Sequence, residues 1–172
     1  TMMVLKSSVL FFGDTVFTVE PTAEQLADIA VQMADAVAGF GITPRVAMIS
    51  YSNFGSVRHP DVTRLHRVLD MVRERRPDLE IDGEMQPELA LDIARQKSNY
   101  GFSRLTKPAN TLVFPSLASG NAASGSAASA TAPSRSSRQV LRAAMPPSRW
   151  RNIASSSGSS VGSLVVTMCA RG

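Results

Sequence analysis

The sequence predicts an α/β protein, a three-layer α/β/α domain with a mostly parallel sheet that is incomplete at its C-terminal side. Short apolar runs of strand length are centred near Met48, Ile81 and Val113, so they are spaced by 33 and 32 residues, the length of one strand-helix-strand unit. Segments with helical periodicity separate these runs. Strands that alternate with helices form a parallel sheet covered on both faces.

Local signals place the first strand and the first helix. The apolar run 9–12 is predicted to be a strand. A capping box follows at 22–25, where the Thr22 hydroxyl and the Gln25 side chain would each pair with a backbone N–H at the start of a helix. Apolar residues then recur at helical spacing, at Leu26, Ile29, Ala30, Met33 and Val37. Gly39 and Gly41 predict the end of this helix.

Two further strand and helix pairs and a last strand complete the pattern. The run 45–51 is predicted to be a strand, and the polar loop 52–56 follows it. A second helix is predicted from Pro60 to just before Pro77, because apolar residues line one of its faces. The remaining predicted elements are a strand at 79–82, a helix near 87–97 and a strand at 110–114.

Composition restricts the class of protein. The chain has 172 residues, enough for one domain with a core but too few for two complete ones. No apolar run approaches the roughly 18 residues that cross a bilayer, so the sequence predicts no membrane-spanning helix and no membrane partner. The start resembles the interior of a longer gene product rather than a signal peptide. The single cysteine, Cys169, excludes an intrachain disulfide and a cysteine-based zinc site.

Charge and serine content divide the chain in two. Residues 1–92 hold all 14 acidic residues and eight basic ones, a net charge of −6, whereas residues 93–172 hold ten basic residues and no acid. Serine occurs seven times in residues 1–115 but 15 times in residues 116–163. This serine-rich segment has too few large apolar groups to offset the entropy cost of ordering. We therefore predict an α/β domain over 1–123 and a disordered or frameshifted Ser/Ala/Arg-rich segment over 124–172.

Two explanations of the 124–172 segment remain open. A translational frameshift or gene-model error would explain the abrupt loss of acidic residues. A genuine Ser/Arg-rich tail could instead bind nucleic acid by neutralising phosphates. The six arginines of residues 116–172 are scattered, and Trp150 is the only aromatic nearby, so nucleic acid is the disfavoured partner.

Two loops of the predicted sheet could bind a ligand. In parallel sheets ligands gather at the carboxyl ends of strands. The loop 50–59 offers hydroxyls, an amide, a glycine and Arg58, which suit an anion, although such loops are also ordinary turns. The segment 82–86 places carboxylates at the next strand end. A carboxylate there could act as a base, orient a partner or cap the following helix, and capping is the commonest of these roles. His59 is a weaker candidate for an anion contact, His66 is interpreted as a helix-surface residue, and no metal site is expected.

Several motifs, in order, resemble one family. Asp14-Thr15 leading into 21–30, the segments 50–52 and 82–86, and Val113-Phe114-Pro115 before Gly120-Asn121 are similar to the phosphate acetyl/butyryl transferases. The versions at 52–60 and 102–110 resemble the subgroup that forms the C-terminal region of bacterial NADP-dependent malic enzymes. The resemblance covers about residues 2–123.

The resemblance implies acyl transfer between coenzyme A and phosphate. Acetyl-CoA and phosphate would be ligands, with no covalently bound cofactor. Catalytic residues stay unassigned. The residues implied to form the phosphate and CoA cleft are Ser52, Asn53, Gly55, Ser56, Arg58, Asp82, Glu84, Gln86 and Asn121. The alternative is a non-catalytic, acetyl-CoA-responsive regulatory and dimerisation module of a malic enzyme. A cytoplasmic homodimer or larger homo-oligomer is implied in either case.

The family's late motif, which carries a catalytic Ser, Arg and Asp, has only a faint counterpart at 156–166. There Ser157 stands in place of the Arg and Ser163 in place of the Asp. We therefore expect little or no turnover from this chain, since charged groups that stabilise a transition state contribute several kcal/mol.

Overall fold

The computed structural model describes residues 2–4, 9–13, 21–116 and 165–166. The strands are β1 (Met2–Val4), β2 (Val9–Gly13), β3 (Arg45–Ile49), β4 (Glu80–Met85), β5 (Thr111–Val113) and β6 (Val165–Val166). The helices are α1 (Ala23–Gly39), α2 (Pro60–Arg75), α3 (Pro87–Leu91) and α4 (Ile93–Asn99). Every element that the sequence predicted is present, and β1 and β6 are additional.

The strands form one sheet in the order β4-β3-β5-β2-β1-β6. The four strands from β4 to β2 are parallel, whereas β1 pairs antiparallel with both β2 and β6. The predicted fold class, an α/β domain with a mostly parallel sheet, is confirmed. β6 comes from the segment 124–172, and its two residues pair with Met2 and Met3.

Two apolar layers cover the sheet, as β3 shows most clearly. Val46 and Met48 pack with residues of α1 and α2, such as Leu26 and Leu65. Ala47 and Ile49 point the other way, into a cluster that contains Leu89 of α3. Because β3 is buried on both faces, its sequence is a continuous apolar run rather than an alternating one.

Helix α1 begins as its sequence predicts. The Thr22 hydroxyl accepts a hydrogen bond from the Gln25 N–H at 3.2 Å, and the Gln25 side chain accepts one from the Thr22 N–H at 2.9 Å. The helix ends at Gly39, and Gly41 follows with a φ of 79°. Such a left-handed conformation favours glycine, so the stop signal is confirmed.

Most boundaries shift from the prediction by one or two residues, and two differences are larger. β4 extends to Met85 rather than ending at 82, so Asp82 and Glu84 lie inside a strand and neither caps α3. The predicted helix near 87–97 is interrupted at Asp92, whose φ of −108° and ψ of 89° are not helical. The Asp92 carboxylate accepts a hydrogen bond from the Arg95 N–H at 3.0 Å, so it caps the second helix, α4.

Among the helices of the described residues, none is both long enough and apolar enough to cross a membrane.

Candidate functional site

The site lies where β3 and β4 end, in the loop that joins β3 to α2. We call residues 50–57 the β3 loop. The Ser50 N–H donates to the Met85 carbonyl at 2.9 Å, so the loop starts in register with the end of β4. Its other end leads to His59, the N-cap of α2, whose Nδ1 accepts from the Asp61 N–H at 3.3 Å. The loop therefore lies at the carboxyl end of the parallel sheet, where the sequence predicted a ligand site.

Two serines make the core of the loop. The Oγ atoms of Ser52 and Ser56 are 3.1 Å apart, and either hydroxyl can be the donor. Ser52 Oγ also accepts from the Val57 N–H at 3.2 Å, and Ser56 Oγ accepts from the Asn53 N–H at 3.1 Å. Ser52 is fully buried, whereas Ser56 is exposed. The inner hydroxyl thus supports the outer one, which faces solvent.

The tip of the loop has two consecutive left-handed residues, Phe54 with a φ of 49° and Gly55 with a φ of 79°. A left-handed phenylalanine is rare because its Cβ approaches the carbonyl oxygen. Glu84 offsets this strain at two points. Its carbonyl accepts from the Phe54 N–H at 2.7 Å, and its Oε1 accepts from the Gly55 N–H at 2.9 Å.

Glu84 has no exposed surface, and its second oxygen is paired as well. Oε2 lies 2.6 Å from Nε2 of His66, a half-exposed side chain on α2. A buried carboxylate is costly unless all of its oxygens are hydrogen-bonded, and here both are. The sequence placed His66 on the helix surface and missed this contact, because the two residues are 18 positions apart and no local spacing joins them.

Asn53 and Gln86 attach the loop to the start of α3. The Asn53 side-chain amide donates to Gln86 Oε1 at 3.0 Å, and Asn53 Oδ1 accepts from the Gln86 N–H at 2.8 Å. The Gln86 side chain also donates to the Tyr51 carbonyl at 3.0 Å. Gln86 is the N-cap of α3, but its side chain makes no capping bond, since it is used for the loop.

The other predicted residues divide into three cases. Arg58 is exposed and makes no hydrogen bond or ion pair with any residue that the structure describes. Asp82 is buried away from these loop contacts, because its carboxylate accepts from the Arg73 guanidinium at 2.8 Å and from the Arg104 N–H at 2.7 Å. Asn121 lies outside the described residues. The structure therefore joins Ser52, Asn53, Gly55, Ser56, Glu84 and Gln86 in one network.

Aromatic side chains that the sequence did not single out border the loop. The Phe54 ring lies 4.9 Å from Tyr100 and 5.0 Å from Phe102, measured between ring centroids. Phe102 is 69% exposed, so the cluster forms part of the surface beside the loop. Tyr100 and Phe102 follow α4, and no regular sequence spacing links them to the β3 loop, so the sequence did not point to this cluster.

The backbone donors of the loop are already used. Each N–H from Ser52 to Val57 donates to an oxygen of the loop itself or of Glu84. An anion at this surface would therefore meet side-chain donors, chiefly Ser56 and Arg58, rather than an open row of N–H groups. Within the described part of the chain, no three His, Cys, Asp or Glu side chains are grouped so that they could hold a metal ion.

The chain is similar to phosphate acetyltransferases and to malic enzymes. The family model described as Phosphate acetyl/butaryl transferase matches residues 1–135. A phosphate acetyltransferase from Haemophilus influenzae is 45% identical over 121 residues, which are 69% of this chain and 17% of that protein. An NADP-dependent malic enzyme from Escherichia coli is 44% identical over 115 residues, 67% of this chain and 15% of that protein. The chain thus spans about a sixth of the length of these curated relatives.

A solved phosphotransacetylase has a similar fold. The EutD phosphotransacetylase from Staphylococcus aureus superposes with a TM-score of 0.72 at 31% identity, covering 75% of this chain and 40% of that one. The sequence motifs, the fold and the family match agree, and the predicted resemblance is confirmed. This chain belongs to the phosphate acetyl/butyryl transferase family.

Proposed function

We propose that this chain is the phosphate-binding part of an acyltransferase domain that interconverts an acyl-CoA plus phosphate with an acyl phosphate plus CoA. A phosphate oxygen attacks the thioester carbonyl carbon, the carbon–sulfur bond breaks, and the CoA thiolate leaves. Family membership supports the reaction class. The observation that carries the proposal is the β3 loop at the carboxyl end of the sheet. There the exposed Ser56 hydroxyl, held by Ser52, is two residues from Arg58, which has no partner in the part of the chain that the structure describes.

The hydroxyl pair suggests how the anion is held. If Ser52 donates its hydrogen to Ser56, then Ser56 Oγ accepts from both Ser52 and the Asn53 N–H. Its own hydrogen is then left to point outward, where it can donate to a phosphate oxygen. Arg58 adds a guanidinium, which binds phosphate through charge-assisted hydrogen bonds. Ser56 and Arg58 are therefore proposed as direct contacts, with Ser52 behind them.

The remaining residues are proposed to shape the cleft. Asn53 and Gln86 fix the loop against α3 through their reciprocal hydrogen bonds. Gly55 and Glu84 hold the loop tip. Asn121 is proposed near the mouth of the cleft on the basis of the family motif alone. Asp82 is the one predicted contact that we leave out of this set, because Arg73 and Arg104 already use its carboxylate.

Phosphate binding tests the proposal directly. We expect inorganic phosphate, titrated into the full chain and followed by calorimetry, to bind less tightly by about tenfold in Arg58→Ala, since charge-assisted hydrogen bonds contribute about 1.5–3 kcal/mol. Ser56→Ala should lose less. Arg67→Ala is the matched control, because Arg67 is also exposed, lies on α2 and only approaches Glu24 at 3.8 Å. Equal affinity in Arg58→Ala and Arg67→Ala would contradict the proposal.

A second function is favoured by the similarity to malic enzymes, which matches that to the acetyltransferases in strength. For either function we propose that the chain is a C-terminal piece of an NADP-dependent malic enzyme in the cytoplasm and forms a homodimer or larger homo-oligomer. In this alternative the chain senses acetyl-CoA and supports the oligomer without catalysing acyl transfer. A complete acyltransferase domain would catalyse turnover, whereas the regulatory module would bind acetyl-CoA without it, and this chain by itself lacks two of the family's charged residues. We expect little acetyl-CoA formation from acetyl phosphate and CoA, given Ser157 and Ser163 in place of the family's Arg and Asp.

Acetyl-CoA binding without turnover, together with a shift to a larger species in sedimentation velocity, would favour the regulatory function. Rapid acetyl-CoA formation by the purified chain would favour the acyltransferase and overturn the expectation of low activity.

A further inference from the structure

We propose that His66 and Glu84 form a positioning pair that holds the β3 loop in its closed shape, and that neither residue touches the ligand. The effect of the pair on anion binding depends on the function proposed above, whereas its effect on the loop does not. This role differs from the cleft-wall contact that the family resemblance implied for Glu84, and His66 was not implied at all.

Burial gives the first argument. Glu84 is 0% exposed, so a ligand in solvent cannot reach its carboxylate while the loop is closed. Both oxygens are also taken, one by the Gly55 N–H and the other by the His66 ring. A group with no exposed surface and no free oxygen can act on a ligand only through the residues that it holds.

The loop tip gives the second argument. Phe54 and Gly55 are both left-handed, and such conformations persist only where the surroundings stabilise them. Glu84 accepts the N–H groups of both residues, at 2.7 Å and 2.9 Å. Ser56, the proposed phosphate contact, is the next residue in the chain. Its direction therefore depends on the tip that Glu84 holds.

His66 completes the pair in two ways. Its Nε2 lies 2.6 Å from Glu84 Oε2, and in the proposed pair Nε2 carries the hydrogen that this carboxylate oxygen accepts. Its Cε1 lies 3.8 Å from the point where a Cβ on Gly55 would be, so the ring also packs against the loop tip. Without His66, one oxygen of a buried carboxylate would lose its partner, and the loop would have to open to solvate it.

Amide hydrogen exchange on the ¹⁵N-labelled full chain tests the pair without any ligand. We compare Gly55 with Gly41, whose N–H donates to the Ala38 carbonyl on a different part of the molecule. In His66→Ala, exchange at Gly55 should accelerate by about tenfold or more, with Gly41 unchanged. His66→Gln should restore most of the protection, because a glutamine N–H can donate to Oε2. The neighbouring Arg67→Ala should behave as the wild type.

Each other outcome counts against the proposal. Unchanged protection of Gly55 in His66→Ala would overturn it, and so would an equal loss at Gly41 and Gly55, which would show a general loss of stability. Failure of His66→Gln to rescue Gly55 would also overturn it. The expected spectroscopic signature is an imidazole ¹⁵N shift pattern with the hydrogen on Nε2, and an unprotonated Nε2 would contradict the pair.

Inorganic phosphate then separates this inference from the proposed function. If the wild type binds no phosphate but Gly55 responds as expected, the positioning pair stands and the proposed function fails. If the wild type binds phosphate, His66→Ala should weaken binding and His66→Gln should restore it. Full phosphate affinity in a His66→Ala protein with an open loop would overturn the link between the pair and the site.

Discussion

The two ends of strands β3 and β4 present opposite situations. The amino ends border an open cavity of about 430 Å³, lined by residues of 38–44 and 76–80. The positively charged side chain that lines this cavity, Arg76, is already paired, because its guanidinium binds both Asp35 and Asp78. The carboxyl ends hold the β3 loop, where Arg58 has no partner among the described residues. We infer that a charged side chain without a partner is a better indication of where a charged ligand can bind than the volume of a cavity.

The same contrast holds within β4, between two buried carboxylates. Asp82 ties the end of α2 to the segment at Arg104, and both of its oxygens serve the fold. Glu84, two residues later, ties the loop tip to His66. Neighbouring acidic residues on one strand thus have different tasks, and residue type alone does not tell them apart.

The largest effect on stability is expected from a substitution at Gly83, which lies between these two carboxylates. A Cβ at Gly83 would lie 2.7 Å from the Met48 carbonyl oxygen, and the φ of +141° suits only glycine. We expect Gly83→Ala to lower the free energy of unfolding by about 3 kcal/mol, from strain and overpacking together. Urea unfolding followed by circular dichroism measures this loss.

Gly101→Ala is the control for this substitution. Its Cβ would meet the nearest atom, the Lys97 carbonyl oxygen, at an ordinary 3.5 Å. The change in stability should stay within about 0.5 kcal/mol. Equal stabilities of the two variants would show that the carboxyl end of β4 is less tightly packed against β3 than its geometry indicates.

A smaller effect on stability is expected from Asp82→Asn. The substitution removes the charge that pairs with Arg73 and turns one acceptor into a donor, so unfolding should become easier by about 1–3 kcal/mol. Phosphate affinity should be unchanged, because Asp82 makes none of the loop contacts. A loss of phosphate affinity with stability retained would instead place Asp82 in the cleft, as the family resemblance implied.

The smallest effect on stability is expected from Asp78→Asn, near the amino ends of β3 and β4. The hydrogen bond from Arg76 lowers the pKa of Asp78, but the carboxylate is exposed to solvent. A lowered folded pKa contributes stability above the ordinary aspartate pKa of about 3.9 and loses it as the pH falls through the folded value. The wild type should therefore be slightly more stable than Asp78→Asn at neutral pH, in urea unfolding at low salt.

That difference should shrink when the pH falls below about 4, and it should also shrink at high salt because the pair is exposed to solvent. A difference as large as that of Asp82→Asn would show that the amino-end cluster stabilises the fold as much as the buried carboxylate does. The contrast between the two ends would then have to be abandoned.

Local sequence signals predicted much of the fold. The capping box at Thr22 and Gln25 forms as expected, and the three strand centres lie in adjacent parallel strands. These features depend on residues close in sequence or on the regular length of a crossover unit. The β3 loop was also predicted as the candidate site, since hydroxyl, amide and glycine residues follow an apolar strand.

What the sequence could not predict depends on distant partners. A strand that contains Asp82 and Glu84 looks too polar to be buried, and its full length makes sense only once Arg73 and His66 are seen beside it. The interruption at Asp92 was missed because the helical pattern continues across it. His66 could not be distinguished from the other polar residues of α2, because its partner, Glu84, is 18 positions away in the sequence.

The bond between Gly55 and Glu84 also constrains the order of events during synthesis. Its two partners are 29 residues apart, so the loop tip leaves the ribosome well before its anchor does. A nascent chain that ends before β4 has no carboxylate to accept the Gly55 N–H and must leave that turn open. The loop can adopt this closed shape only after β4 has emerged and paired with β3, so the candidate site cannot be complete before β4 is synthesised.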